Sequence, residues 1–154
     1  AILFGVADVQ QANLILDYIH GCGVNAPYPV QAVYPVIHPG DKDWRDYFLV
    51  RNLNQPHHYH NGGIWSFIGG FYVAALVQAG RLDEAQTQLG KLAEMNRLGV
   101  RGEWEFNEWF HGVSGRPMGF PEQSWSAAMY LYAADAVERG KVNVFNAAHG
   151  WGIA

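Results

Sequence analysis

Residues 64–79 constrain this chain more than any other segment. Trp65, Phe67, Ile68, Phe71, Tyr72, Val73, Leu76 and Val77 put apolar groups on nearly every side of a helix. Such a helix is stable only with neighbours almost all round. Its Gly69-Gly70 pair lets another backbone approach closely. Gly80 ends it, and a different kind of helix follows over 82–98. There Leu82, Ala85, Leu89, Leu92 and Met95 form one stripe and the rest is polar. Asp83 and Glu84 in its first turn suit the helix dipole. A link as short as Gly80-Arg81 forces the two helices into a hairpin.

A buried helix folded back on an amphipathic one is the pattern of an inner and an outer helix in a layered helical toroid. The fold class expected is therefore all-α. The spacing of Val9, Ala12, Leu16 and Ile19 predicts a helix over 6–19, stopped by Gly21 and Gly23. Pro27, Pro29, Pro35 and Pro39 forbid a helix over 21–40, and its apolar residues predict a loop packed on the core. A short helix is expected over 41–50, with Trp44, Tyr47 and Phe48 facing inward. Residues 103–110 alternate, with Trp104, Phe106, Glu108 and Phe110 on one side. Period 2 predicts a strand, which with the turn at 111–117 makes a short β-hairpin near 103–118. A last helix is expected over 122–139, with Trp125, Met129, Tyr132 and Ala136 on one face. The tail 141–154, which contains Trp151, gives no assignment, and no internal repeat is visible.

Composition narrows the function classes. A chain of 154 residues is about one domain. Charged residues make up 16%, against roughly 25% in ordinary soluble domains, while aromatics reach 14%. That implies more apolar and ring-bearing surface than a self-contained domain needs. A net charge of −4 argues against nucleic acid as a partner. The single cysteine, Cys22, excludes a disulfide framework and a cysteine-rich zinc module. No apolar run is long enough for a membrane span, and no signal peptide is recognisable, so no membrane partner and a cytoplasmic location are expected. Phosphate-loop, dinucleotide-binding and Gly-x-Ser-x-Gly signatures do not occur.

Two segments carry candidate chemistry. Glu108, among aromatic neighbours, must be paired, shifted in its titration or turned to a cleft. It is either a strand-end carboxylate in solvent or bridged to Arg116, or a general acid or base beside rings that can stack on a sugar. Glu103 and Glu105 are expected to be exposed, and Glu122 to be a first-turn helix residue. The second segment, Tyr59-His60-Asn61-Gly62-Gly63-Ile64-Trp65, places groups able to bond hydroxyls just before the buried helix. It reads either as a turn with a cap or as part of a binding pocket. His57, His58 and His60 could ligate a metal, but no carboxylate or cysteine falls at a recognised spacing, so no metal is assigned.

The strings HNGGIWSFIGGFYVAALVQAGRLDEA and EFNEWFHGVSGRPMGFPEQSWSAAMYLYA, with AVYPVIHPGDKDWRDYF upstream, resemble the C-terminal half of an (α/α)6-toroid glycoside hydrolase. The similar groups are the alkaline/neutral invertases, the glycogen-debranching amylo-α-1,6-glucosidases and the mannosylglycerate-hydrolase-like proteins. The resemblance covers about residues 6–140 and discriminates poorly among substrates.

The resemblance implies that Glu108 is the catalytic base of an inverting hydrolysis of an α-glycosidic bond in a small sugar or glucan end. It places Tyr59, His60, Asn61, Trp65, Trp109, Gln123 and Trp125 in the sugar pocket, and it implies no cofactor. In one departure, Ser66 stands where these families usually have Pro, which is expected to loosen the start of the inner helix. In another, a closed toroid has twelve helices and this chain offers four or five, while the families' general acid lies on the N-terminal half. A single partial domain over 1–154 is expected, completed by that half or by a second copy. The alternative is a non-catalytic carbohydrate-binding or assembly module that keeps the pocket without the acid.

Overall fold

The computed structural model describes residues 1–143; most of the 141–154 tail lies outside them. Among the described residues there are four α-helices: α1 (Val9–Gly21), α2 (Ser66–Gln78), α3 (Leu82–Arg97) and α4 (Ser124–Arg139). Between α3 and α4, strands β1 (Trp109–Phe110) and β2 (Pro117–Met118) pair antiparallel, Trp109 opposite Met118 and Phe110 opposite Pro117.

The α2–α3 hairpin forms as its sequence requires. Gly80 turns the chain at φ +77°, and the Arg81 N–H donates back to the Leu76 carbonyl at 2.9 Å. α2 packs on both α3 and α4, and α3 packs on α4. The core lies among these three helices, with Val73, Leu76, Ala85, Leu92, Met95 and Ala133 fully buried. The two adjacent glycines of α2 each admit a neighbour. A Cβ on Gly70 would sit 2.6 Å from the Met129 carbonyl oxygen of α4, and one on Gly69 would meet the Pro29 carbonyl and Leu92.

Ser66 does not loosen α2. It is fully buried, and its hydroxyl donates to Asn96 Oδ1 near the end of α3 at 2.7 Å. A proline there would lack that tie. α1 begins at Val9 rather than residue 6, because Asp8 caps it in a reciprocal pair with Gln11. Val9 is left exposed, while Ala12 and Leu16 face the core. Arg81 fastens α1 to the hairpin, donating to Asn13 and to Asp17.

Five expectations need correction. Residues 41–50 are not an inward-facing helix. A kinked 3-10 turn spans Asp46–Asn52 and buries none of its residues, and Tyr47 is 65% exposed. The strand over 103–110 shrinks to Trp109–Phe110, because Trp104 and Phe106 adopt φ of +62° and +48°, which no strand permits. The Glu105 carboxylate is responsible. It accepts the Val100 and Arg101 N–H groups at 2.9 Å each and coils the loop. Burial opposes its charge, but these donors and the Arg101 guanidinium hold its pKa below the ordinary glutamate range. Glu105 is thus tucked in, while Glu103 is exposed and bonded to Arg97. Glu122 lies outside α4 at φ +64°, paired with Arg101. On α4 the buried residues are Ser126, Ala133 and Ala136; Trp125 is 47% exposed rather than part of the inward stripe.

Candidate active site

Three loops meet at the N-terminal end of α2. Gln31, Ile64, Phe110 and Pro117 form a ladder one residue deep, each paired with the next. Ile64 and Phe110 exchange two backbone bonds of 2.9 and 2.7 Å. His57 accepts the Gly112 N–H at 2.9 Å, and the Gly63 carbonyl accepts the Ala32 N–H at 2.9 Å. Gly63 has to be glycine, since a Cβ there would collide with the Tyr59 backbone.

This crossing carries Glu108 and Tyr59. Glu108 immediately precedes β1. Its N–H donates to the Phe120 carbonyl at 2.9 Å, and its Oε2 accepts the Phe120 N–H at 3.3 Å. Gly119, at φ +70°, gives it room, because a Cβ there would lie 2.6 Å from Oε2. Burial first, and then the charge of the nearby Glu108 carboxylate, push the Tyr59 phenol above its ordinary value. Rings surround Tyr59: His60 stacks at 4.2 Å, Trp65 lies at 4.8 Å and Trp109 at 5.9 Å. The Trp65 indole N–H donates to the Tyr59 carbonyl at 3.1 Å.

The candidate residues therefore divide. Tyr59, His60, Trp65, Trp109 and Glu108 form one connected group across more than forty residues of sequence. Asn61 is 4% exposed and turned to the backbone, accepting the Ile37 N–H and donating to the Ile37 and Asn54 carbonyls. It also edges a cleft with Val33, Ile37, Tyr47, Phe48, Asn54 and His60. Gln123 donates to the Pro121 carbonyl and lines a different cleft, with Trp104, Phe106 and Glu122. Trp125 stands exposed at the second residue of α4. Glu108 is not among the ion pairs of the described residues, so the bridge to Arg116 does not form.

Sequence reading passed over Gly119, Phe120 and His111. A glycine eleven residues beyond a candidate carboxylate gives no local signal, because its role appears only once the hairpin pairs. His111 read as a turn residue. In the fold it lies 5.0 Å from His58 and 6.2 Å from His57, and His58 packs on Trp109 at 5.6 Å. Among the described residues no group of three or more His, Cys, Asp or Glu is placed to hold a metal ion.

These three histidines titrate below their ordinary value. Burial is the first cause in each. His38 adds to it for His57, Arg116 and His57 for His58, and His58, His57 and Arg116 for His111. Between the lowered values and the ordinary 6.5, the unfolded chain binds more protons than the folded one. Stability is therefore full above about pH 6.5 and falls as the pH drops below it. Urea midpoints at pH 7.5 and 5.5 should show this loss, and His58→Gln should reduce it. Equal midpoints in the parent would contradict it.

The sequence profile of alkaline and neutral invertases matches residues 1–139. The chain belongs to this family of glycoside hydrolases. A solved structure of similar fold is the family-63 mannosylglycerate hydrolase of Thermus thermophilus, in complex with Tris and D-glycerate. It is 20% identical, with a TM-score of 0.59 over 84% of this chain and 27% of that one. At that identity the likeness shows the fold, which is part of a six-hairpin helical toroid. The chain thus spans about a quarter of the length of that structural relative. No curated protein sequence matches it. Among the described residues no helix is long and apolar enough to cross a membrane.

Proposed function

We propose that this chain supplies the base side of an inverting glycoside hydrolase site, with Glu108 as the general base. Glu108 takes a proton from a water molecule, the water oxygen bonds the anomeric carbon, and the glycosidic bond breaks. A carboxylic acid outside these 154 residues protonates the leaving oxygen. Tyr59, His60, Asn61, Trp65, Trp109, Gln123 and Trp125 shape the pocket, and the substrate is an α-glucoside or a glucan end. The observation that carries this reading is a carboxylate held by the Phe120 N–H at the rim of an aromatic group, on a chain of an invertase family. Apolar rings bind pyranose faces, and a fixed carboxylate can activate water.

The site is completed by the remainder of the toroid or by a second copy. An apolar groove bordered by Ile15, Ile19, Ile68, Phe71 and Ala75 runs beside α2, and an inner helix leaves such a face for a neighbour. The test is hydrolysis of sucrose, isomaltose and glucosylglycerate by the completed toroid and by the isolated chain. The completed form should turn over at least one of them and the isolated chain none. Turnover by the isolated chain as a monomer would refute the external acid. Binding without turnover by the completed form would favour a carbohydrate-binding module.

A further inference from the structure

The His111 ring caps the turn that joins β1 to β2. Its Nδ1 accepts the Val113 N–H at 3.3 Å and the Ser114 N–H at 3.1 Å. Its backbone is bonded to Gly115 and Arg116 across the same turn. The turn in turn rests on the 57–62 loop. The Gly112 N–H donates to the His57 carbonyl at 2.9 Å, the Gly112 carbonyl accepts Gln31 Nε2 at 3.2 Å, and a Cβ on Gly112 would collide with the Gly62 carbonyl. An imidazole that accepts at Nδ1 is neutral and carries its proton on Nε2. The cap therefore exists in one protonation state only.

We propose that His111 is a proton-operated clasp: neutral, it holds the β1–β2 turn on the 57–62 loop, and protonated, it releases the turn. A proton on Nδ1 replaces the acceptor by a donor that faces two N–H groups. It also places a charge 5.0 Å from the His58 ring and 6.2 Å from that of His57. The other groups around the turn do not offset that charge. Arg116 on the turn is cationic, His38 stands behind His57, and the Tyr28 phenol packed on Gly115 is neutral at acid pH. Among the described residues no carboxylate forms an ion pair with the three histidines. The lowered titration of all three rings agrees with this arrangement. Glu108 directly precedes the hairpin and Gly119 directly follows it, so the clasp lies on the segment that presents the candidate base. It stands on the geometry of the turn and not on the role of Glu108.

The test is amide hydrogen exchange of the completed enzyme at pH 7.5 and 5.0, corrected for the intrinsic pH dependence of exchange, in the parent, His111→Asn and His111→Leu. An asparagine oxygen can accept from N–H groups a few residues on, and it does not titrate. In the parent, residues 112–116 should exchange about 5- to 10-fold faster at pH 5.0, the loss of one or two hydrogen bonds of ordinary net strength, while α2 keeps its protection. His111→Asn should protect the turn at both pH values. His111→Leu, which offers no acceptor, should leave it fast at both. Equal corrected rates in the parent at the two pH values would overturn the clasp, whatever the variants do. The same acid-induced rise in His111→Asn would place the proton on another group and overturn it too. Loss of protection in α2 together with the turn would show global unfolding in place of a clasp.

Discussion

Glu108→Gln in the completed enzyme should lose about 10²–10⁴-fold in kcat, the usual contribution of a general base, and should keep its fold. The amide has the shape of the carboxylate and still offers an oxygen to the Phe120 N–H, which Oε2 accepts in the parent. It cannot take a proton from water. Thermal unfolding compared with the parent separates the two effects. A variant that melts with the parent and is inactive supports the role. A variant that unfolds early would make Glu108 a structural anchor of the hairpin, and one with full activity would remove it from the chemistry.

The second large effect concerns the fold. Gly70→Ala should destabilise the chain by about 3 kcal/mol, at the upper end for overpacking a close interior contact. The new methyl would meet the backbone of Met129, at 2.6 Å from its oxygen and 3.0 Å from its carbonyl carbon. No rotamer change relieves a clash with backbone, so α2 and α4 must separate. Gly90→Ala on α3 is the matched control. A Cβ there meets nothing within 4 Å, and replacing a mid-helix glycine by alanine should raise stability by about 0.5–1 kcal/mol. Urea unfolding of both variants checks the pair. Equal stability of Gly70→Ala and the parent would contradict the close α2–α4 approach.

The contrast between these two glycines shows what the sequence made legible. Periodicity in 64–98 revealed the buried helix, its amphipathic partner and the close approach at Gly69-Gly70, because helical spacing and glycine's missing side chain are local properties. The loop at 103–108 was not legible. Its alternation mimics a strand, but the conformation is set by the Glu105 side chain reaching backbone N–H groups four and five residues earlier. Side-chain capture of that kind leaves no periodic trace. At the site, the family resemblance assigned Tyr59 and Glu108 to one sugar pocket, although more than forty residues separate them. That the Asn61 amide would face the backbone of Ile37 and Asn54 depended on a rotamer fixed only by the folded neighbours. Of the inward stripe assigned to Trp125, Met129, Tyr132 and Ala136, Ala136 is buried and Met129 meets Gly70, but Ser126 rather than Trp125 faces the core.

The most direct measurement of the account is the configuration of the first-formed sugar. Proton NMR of the completed enzyme acting on an α-glucoside, recorded faster than mutarotation, resolves the two anomers of glucose. A base that activates water on the face opposite the leaving group releases β-glucose first, and the account predicts that result. Initial release of α-glucose would show retention, which requires a carboxylate nucleophile and would contradict the role assigned to Glu108.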